Sequence, residues 1–203
     1  MYKGIKMIID QFAALCLGII LLLPMGIIAI LVKATSKGPV LFKQERYGVY
    51  SKKFIIYKFR TMYVETPELS NQEFKNLNDF LTPIGKILRH LSLDELPQIF
   101  NVVKGDMSFI GPRPLAESDL NVIKKREKNG ADKVKPGITG LAQVSGRNNI
   151  TDEEKADFDG IYAEKLSLEI DLNILFRTIC NVLLEKDIDK DSINLKNKGE
   201  RKL

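Results

Sequence analysis

The run from Ile8 to Val32 constrains this chain more than any other stretch, because water offers few places for so much continuous apolar surface. Only Asp10, Gln11, Gly18, Pro24 and Gly26 interrupt it. About 15 of its residues are Ile, Leu, Val or Phe, and at roughly −0.4 kcal/mol each they favour a membrane by about 6 kcal/mol. The run is long for the core of a signal peptide, and no small-x-small cleavage site follows it. As a straight helix it would measure about 37 Å, enough to span a bilayer. Pro24 removes a helix hydrogen bond and Gly26 softens the same spot, so a break is predicted there. Lys3 and Lys6 precede the run while Lys33, Lys37 and Lys43 follow it, so the positive-inside rule draws both ends toward the cytoplasm. A helix that enters, breaks at Pro24 and returns satisfies both pulls; a single kinked span is the alternative.

The remainder is composed like a globular protein. A chain of 203 residues with 44% hydrophobic and 28% charged residues can bury a core. Its net charge of +5 suits an anionic surface, whether headgroups or nucleic acid. With two cysteines, Cys16 and Cys180, there is no disulfide framework, and the single histidine, His90, cannot build a multi-histidine metal site. A metal would be held by carboxylates and phosphate oxygens, which selects a hard ion such as Mg²⁺.

After Gly38-Pro39, two apolar segments, Val40 to Phe42 and Phe54 to Tyr57, predict a hairpin turning between Tyr47-Gly48 and Lys53. Alternation through Tyr57-Lys58-Phe59-Arg60 sets Lys58 and Arg60 on one face, where they could hold a diphosphate or simply meet water. Val64 to Leu81 reads as a polar surface excursion with one short helix. Thr82-Pro83 then supplies an N-cap and a first-turn proline for a helix with Ile84, Ile87, Leu88 and Leu91 as its apolar stripe. Arg89 lies off that stripe, near the helix end.

Ser92-Leu93-Asp94-Glu95-Leu96-Pro97-Gln98 follows. Leu96, Ile99, Phe100 and Val103 give the next helix its apolar face, and Gly105 closes it. Pro97 has to fall in the first turn, which places Asp94 and Glu95 at the helix mouth. Ser92 and Glu95 have the spacing of a capping box, and acids are favoured at helix amino termini. The pair therefore reads either as a cap or as two catalytic carboxylates.

Prolines on both sides of Arg113 restrict the backbone that carries its guanidinium. Ala116 to Lys135 begins helical and is rich in cations, among them Arg126, that could lie on headgroups or on water. From Pro136 to Asn148, glycines at 137, 140 and 146 flank a short apolar strand with Arg147 at its exit. The spacing matches neither a dinucleotide fingerprint nor a P-loop. Leu168, Leu172, Leu175, Phe176, Ile179, Val182 and Leu183 form one face of an amphipathic helix, expected in the core rather than on a membrane. From Asp187 the chain is polar and expected to fray.

Several of these motifs together resemble the monotopic phosphoglycosyl transferases, the bacterial sugar transferases that start glycan assembly on polyprenyl phosphate. The matching stretches are Tyr57 to Met62, Ser92 to Gln98, Gly105 to Pro114, Pro136 to Val144 with Gly146-Arg147-Asn148, and Ser167-Leu168 with Asp171. The resemblance runs from about Ile5 to Leu184. It implies an α+β, mostly helical fold: a re-entrant membrane helix broken at Pro24 over residues 1–36, a catalytic domain over 37–186 with a small hairpin and surface amphipathic helices, and a polar tail over 187–203. It further implies transfer of sugar-1-phosphate from a UDP-sugar to undecaprenyl phosphate, with UMP released, on the cytoplasmic face of the bacterial inner membrane. Asp94 would be the nucleophile and Glu95 would help hold Mg²⁺. Lys58, Arg60, Arg89, Arg113, Arg147 and Asp171 would contact substrate. Where the family breaks its helix at Ser-Pro, this chain has Leu23-Pro24.

The same residues leave two rivals open: a membrane-bound nucleotide-sugar diphosphate hydrolase, and a non-catalytic membrane-anchored adaptor in which Asp94 and Glu95 only cap a helix. Expected partners are the UDP-sugar, undecaprenyl phosphate and inner-membrane lipids, with a homodimer left open and no nucleic acid.

Overall fold

A computed structural model describes residues 2–67, 76–146 and 150–184. It is mostly helical with two small sheets, in the α+β class expected. The apolar run lies within one helix, α1 (Tyr2–Thr35), the one helix among the described residues long and apolar enough to cross a membrane. Most of its large side chains are open, with Leu23 and Ile30 at least 70% exposed. A single stripe, Asp10, Ala14, Met25, Ile28 and Val32, is buried. Those positions are spaced by three, four or eleven residues, each close to a whole number of turns, which keeps them on one side of a helix.

Helical structure continues on both sides of Pro24, which lies inside α1. An interior proline costs a helix about 3 kcal/mol, and the buried stripe on either side of it holds the segment helical. The two polar residues that interrupt the run, Asp10 and Gln11, face the rest of the protein. Asp10 accepts a hydrogen bond from Ser108 Oγ, and Gln11 Nε2 donates to the Val103 carbonyl at 3.2 Å.

Both ends of α1 are tied to the same body. At the start, Tyr2 Oη donates to Asp171 at 2.6 Å, Lys6 pairs with Asp171 at 2.8 Å, and Lys3 Nζ donates to the Lys133 carbonyl at 2.6 Å. At the end, Arg60 donates to the carbonyls of Ser36 and Lys37 and to Ser36 Oγ. A cation at a helix carboxyl terminus meets the negative end of the macrodipole and satisfies carbonyls that lack partners within the helix.

The predicted hairpin is present. Strand β1 (Leu41–Tyr47) pairs antiparallel with β2 (Lys53–Phe59), from Leu41 opposite Phe59 to Tyr47 opposite Lys53. Helix α2 (Pro83–His90) starts as expected, with Thr82 Oγ1 accepting from the Gly85 amide at 3.0 Å. In its stripe Leu88 is buried, whereas Ile87 and Leu91 are open. A 3-10 segment (Leu93–Gln98) leads into α3 (Ile99–Lys104), which Gly105 closes in the left-handed conformation.

Asn101 on α3 is wholly buried against the outer edge of β2. Its Nδ2 donates to the Ile55 carbonyl at 2.6 Å and its Oδ1 accepts from the Tyr57 amide at 3.1 Å. One side chain thus supplies what a third strand would have supplied to those two backbone groups.

Strands β3 (Ser108–Ile110) and β4 (Gly137–Thr139) form a short parallel ladder. Helix α4 (Leu120–Asn129) lies between them in sequence and packs on α6 (Asp152–Glu164), while the short α5 (Leu141–Ser145) follows β4. The short apolar strand expected among glycines 137, 140 and 146 is a strand from Gly137 to Thr139, and the chain is helical from Leu141 to Ser145. Arg126, expected at the surface, is buried on an ion pair with Asp159.

Helix α7 (Leu168–Leu183) corrects a larger expectation. Its apolar face does not enter the core: Leu168, Leu172, Leu175, Phe176, Ile179 and Val182 are exposed. The side chain of Leu183 and the tail from Asp187 lie outside the described residues. What packs inward is the opposite, partly polar side, where Ile174 and Asp171 are buried, Thr178 shares a hydroxyl bond with Thr139 at 2.8 Å, and Arg177 donates to the Val144 carbonyl. Amphipathicity shows that a helix has two faces but not which medium meets the apolar one.

Replacing Asn101 by Ala strands two buried backbone groups of β2 at about 1–3 kcal/mol each. Thermal unfolding in detergent should show a stability loss of about 2–4 kcal/mol.

Candidate active site

The two acids of the central stretch sit in the 3-10 segment, entered through Ser92 in the left-handed conformation at φ 55°. Ser92 makes no side-chain cap, and Glu95 does not reach back to it, so the capping box does not form. Glu95 instead turns away from its own segment. Its Oε1 accepts from Lys58 Nζ at 2.7 Å and from Arg113 Nη2 at 3.1 Å. Three separate pieces of chain, the hairpin, the 3-10 turn and the Pro-bracketed loop, meet on that oxygen.

Asp94 is buried and makes no ion pair among the described residues. Burial pushes its carboxyl pKa up and Glu95 adds to the rise, while Lys58 and Arg89 pull it down. Glu95 behaves oppositely. Burial would raise it, but Arg113 and Lys58 together outweigh that and hold it well below the usual carboxylate range. Burial lowers the Lys58 ammonium against the pull of Glu95, and Glu95 raises the Arg113 guanidinium. One acid is committed to fixed cations; its neighbour, poorly solvated, is not.

Arg46 was not among the residues singled out from the sequence. It lines one cleft with Lys58, Gln98, Arg113 and Gly137, and burial and Arg113 lower its pKa. The signal was available: residues 42, 44 and 46 of β1 share the sheet face of 54, 56 and 58 of β2, so once the register is known Arg46 and Lys58 lie on one side.

Arg89 is held at the end of α2 by its Nε donating to Thr61 Oγ1 at 3.1 Å, where its charge reaches Asp94. Arg113 is half-exposed, so its guanidinium meets both Glu95 and solvent. Two expected substrate contacts lie elsewhere. Strand β2 ends at Phe59, so alternation no longer governs Arg60, which turns to the end of α1. Asp171 is buried under the other end of α1, where Tyr162 Oη also donates to it at 2.8 Å. Arg147 lies outside the described residues.

The glycine-rich motif explains the rigidity of the Arg113 loop. The Gly111 amide donates to the Thr139 carbonyl and the Gly137 amide to the Pro112 carbonyl, both at 2.9 Å. A Cβ on Gly137 would lie 2.1 Å from the Gly111 nitrogen, and one on Gly111 would lie 2.2 Å from the Lys135 carbonyl. Only bare backbone lets the two stretches approach this closely.

Two adjacent carboxylates fit a hard cation in part. No group of three or more His, Cys, Asp or Glu side chains able to cage a metal occurs among the described residues. Mg²⁺ needs no such cage, since it is commonly held by one or two carboxylates with water and substrate phosphates completing the shell. The uncommitted Asp94 and the second oxygen of Glu95 suit that mode.

Fold and site together join a helix apolar and long enough to cross a membrane to a carboxylate pair with fixed cations around it. Comparison with known proteins agrees. The chain matches the bacterial sugar transferase family over residues 1–185. It is 38% identical over 190 residues to the uncharacterized sugar transferase EpsL of Bacillus subtilis, covering 92% of this chain and 91% of that one. It is 40% identical over 196 residues to a UDP-glucose:undecaprenyl-phosphate glucose-1-phosphate transferase of Klebsiella pneumoniae, covering 91% of this chain and 42% of that protein. A UDP-galactose-lipid carrier transferase of Erwinia amylovora is 39% identical over 203 residues, with 91% and 41% covered. The chain spans nearly all of the Bacillus relative and about two-fifths of the other two. It belongs to the bacterial sugar transferase family.

Substituting Glu95 by Gln leaves Lys58 and Arg113 without their counter-charge in a mostly buried place. Stability should fall by about 3 kcal/mol, and adding Lys58→Met should return part of it, as read by thermal unfolding.

Proposed function

We propose that the chain transfers sugar-1-phosphate from a UDP-sugar to undecaprenyl phosphate through a covalent intermediate on Asp94. The observation that carries this reading is the division of labour between the acids. Glu95 is spent on Lys58 and Arg113, while the adjacent Asp94 is buried, poorly solvated and makes no ion pair among the described residues.

In the first half-reaction an Asp94 carboxylate oxygen attacks the phosphorus that bears the sugar. The bond from that phosphorus to the bridging oxygen breaks, and UMP departs with the electron pair. In the second, a phosphate oxygen of undecaprenyl phosphate attacks the same phosphorus, the bond to Asp94 breaks, and the carboxylate returns as undecaprenyl-diphospho-sugar leaves. Each attack brings like charges together, so the fixed cations Lys58, Arg113, Arg46 and Arg89 carry the electrostatic part of catalysis. Mg²⁺, held by Glu95 and Asp94, would supply further neutralisation of phosphate charge. A covalent intermediate lets two bulky anions use one site in turn. The same elements that hold Glu95 orient Asp94, its immediate neighbour.

The membrane arrangement is part of this reading. Helix α1 is about 50 Å long at 1.5 Å per residue, yet Tyr2 and Lys3 at one end and Ser36 and Lys37 at the other bond to a single body. A plain spanning helix would put its ends on opposite faces of a bilayer. Re-entrance of α1 by a bend at Pro24, with both ends and the site on the cytoplasmic face of the inner membrane, accommodates those contacts, and the open face of α7 is suited to lie on the lipid. The activities for which the Klebsiella and Erwinia relatives are named support a UDP-hexose donor and a lipid-carrier acceptor.

Incubation with a UDP-sugar labelled in the sugar-side phosphate, without acceptor, should release UMP and leave label on the protein. Undecaprenyl phosphate should then chase the label into lipid. Asp94→Asn should abolish both steps by at least 10³-fold; normal turnover by that variant sinks the nucleophile assignment, and release of free sugar phosphate at equal rate without acceptor favours hydrolysis.

Single cysteines placed at Lys3 and at Lys37, in a background lacking Cys16 and Cys180, test the topology. Both should be shielded from an impermeant thiol reagent in intact cells, and labelling of Lys3→Cys alone would overturn re-entrance.

A further inference from the structure

Residue 113 owes its position to more than its flanking prolines. Pro112 and Pro114 fix their own φ angles, but the direction of the Arg113 side chain is set by the two peptide planes that meet at its Cα. The plane before it is pinned by the Gly137 amide donating to the Pro112 carbonyl at 2.9 Å. The plane after it contains the Arg113 carbonyl, and Pro114 brings no N–H to anchor that plane. That carbonyl is held by a side chain: Arg126 Nη1, on α4, donates to it at 2.9 Å.

Arg126 is itself buried and clamped. Its Nε donates to Asp159 Oδ2 on α6 at 2.9 Å, and its Nη2 donates to the same oxygen. Asp159 is wholly buried, and its other oxygen, Oδ1, has no hydrogen-bond partner among the described residues. A buried ion pair is a weak source of stability, and one that leaves a carboxylate oxygen unsatisfied is weaker still. Its geometry suits orientation better than stability. Asp159 uses two arms of the guanidinium and so aims the third.

We propose that Arg126 and Asp159 are positioning residues for the active site, which hold the Arg113 carbonyl so that the Arg113 guanidinium meets Glu95 and the incoming phosphate. This rests on the transferase reading for its effect on turnover, but not for its effect on anion binding. The contact runs from the α4–α6 pair, remote in sequence from Asp94, to an oxygen of the acid next to it.

The test replaces the pair by apolar residues of similar volume, Arg126→Met with Asp159→Leu, in the full chain in detergent. Such replacements commonly leave stability unchanged or raised, so folding and positioning are separated. Thermal unfolding should stay near that of the unsubstituted protein, while UDP binding by calorimetry weakens about 10-fold and sugar-phosphate transfer falls 10- to 100-fold. Arg113→Ala should weaken UDP binding similarly, and the triple variant should bind no more than about 3-fold worse than either. Full binding and turnover in the apolar pair, or losses that multiply with those of Arg113→Ala, overturn the proposal.

Should the apolar pair not fold, Arg126→Lys decides, because it keeps the charge opposite Asp159 but lacks the third arm. Weakened UDP binding in a folded Arg126→Lys supports the proposal, and wild-type binding overturns it. If the unsubstituted protein transfers no sugar phosphate, the proposed reaction fails, while the UDP-binding comparison still decides the positioning role.

Discussion

Everything around the cleft depends on one carboxylate oxygen, Oε1 of Glu95, that accepts from two cations on different segments. Lys58 belongs to a hairpin, Glu95 to a 3-10 turn and Arg113 to a proline-bracketed loop, and no backbone ladder joins all three. Remove the negative charge and two cations, with Arg46 close by, face one another in a poorly solvated place. The charge therefore organises the site twice. It brings the segments together, and it keeps cations beside Asp94 without spending Asp94 on them.

Support for that junction comes from side chains that imitate backbone. Asn101 completes the edge of β2, and Arg126 donates to the Arg113 carbonyl as a backbone amide of another segment would. Bare backbone does the complementary work at Gly111 and Gly137, where contact distances exclude any side chain. A short two-stranded ladder and a two-stranded hairpin are weak units alone. Cross-bracing of this kind gives them a fixed relation to the helices.

Helix α1 relates to the body in the same economical way. A narrow stripe of small and medium apolar residues packs inward, and the few polar residues of the run, Asp10 and Gln11, mark that stripe rather than weaken the helix. The rest of its surface, with the open face of α7 and the open Ile87 and Leu91 of α2, is apolar without protein cover. Apolar surface of this kind is suited to lie on lipid.

Much of this was legible in the chain itself. The apolar run, the hairpin and the Thr82 and Gly105 helix boundaries all rest on local rules: hydropathy, alternation, capping and the fixed dihedrals of proline and glycine. Local rules failed where a residue's partner lies far along the chain. They offered Ser92 and Glu95 as a cap, set Arg60 beside Lys58, put Arg126 at the surface, overlooked Arg46 and buried the wrong side of α7, and the family resemblance did not reveal that Asp171 is buried under the start of α1. In each case the outcome depended on a long-range contact: Lys58 and Arg113 for Glu95, the end of α1 for Arg60, Asp159 for Arg126, the start of α1 for Asp171. The sequence by itself determined which segments are helix, strand and membrane-fit, and that an acid pair sits at a helix entrance. Only the tertiary structure decided which acid is paired with fixed cations and which is not, because a charge's environment is set by the charges within a few ångströms of it, and the sequence does not carry that distance.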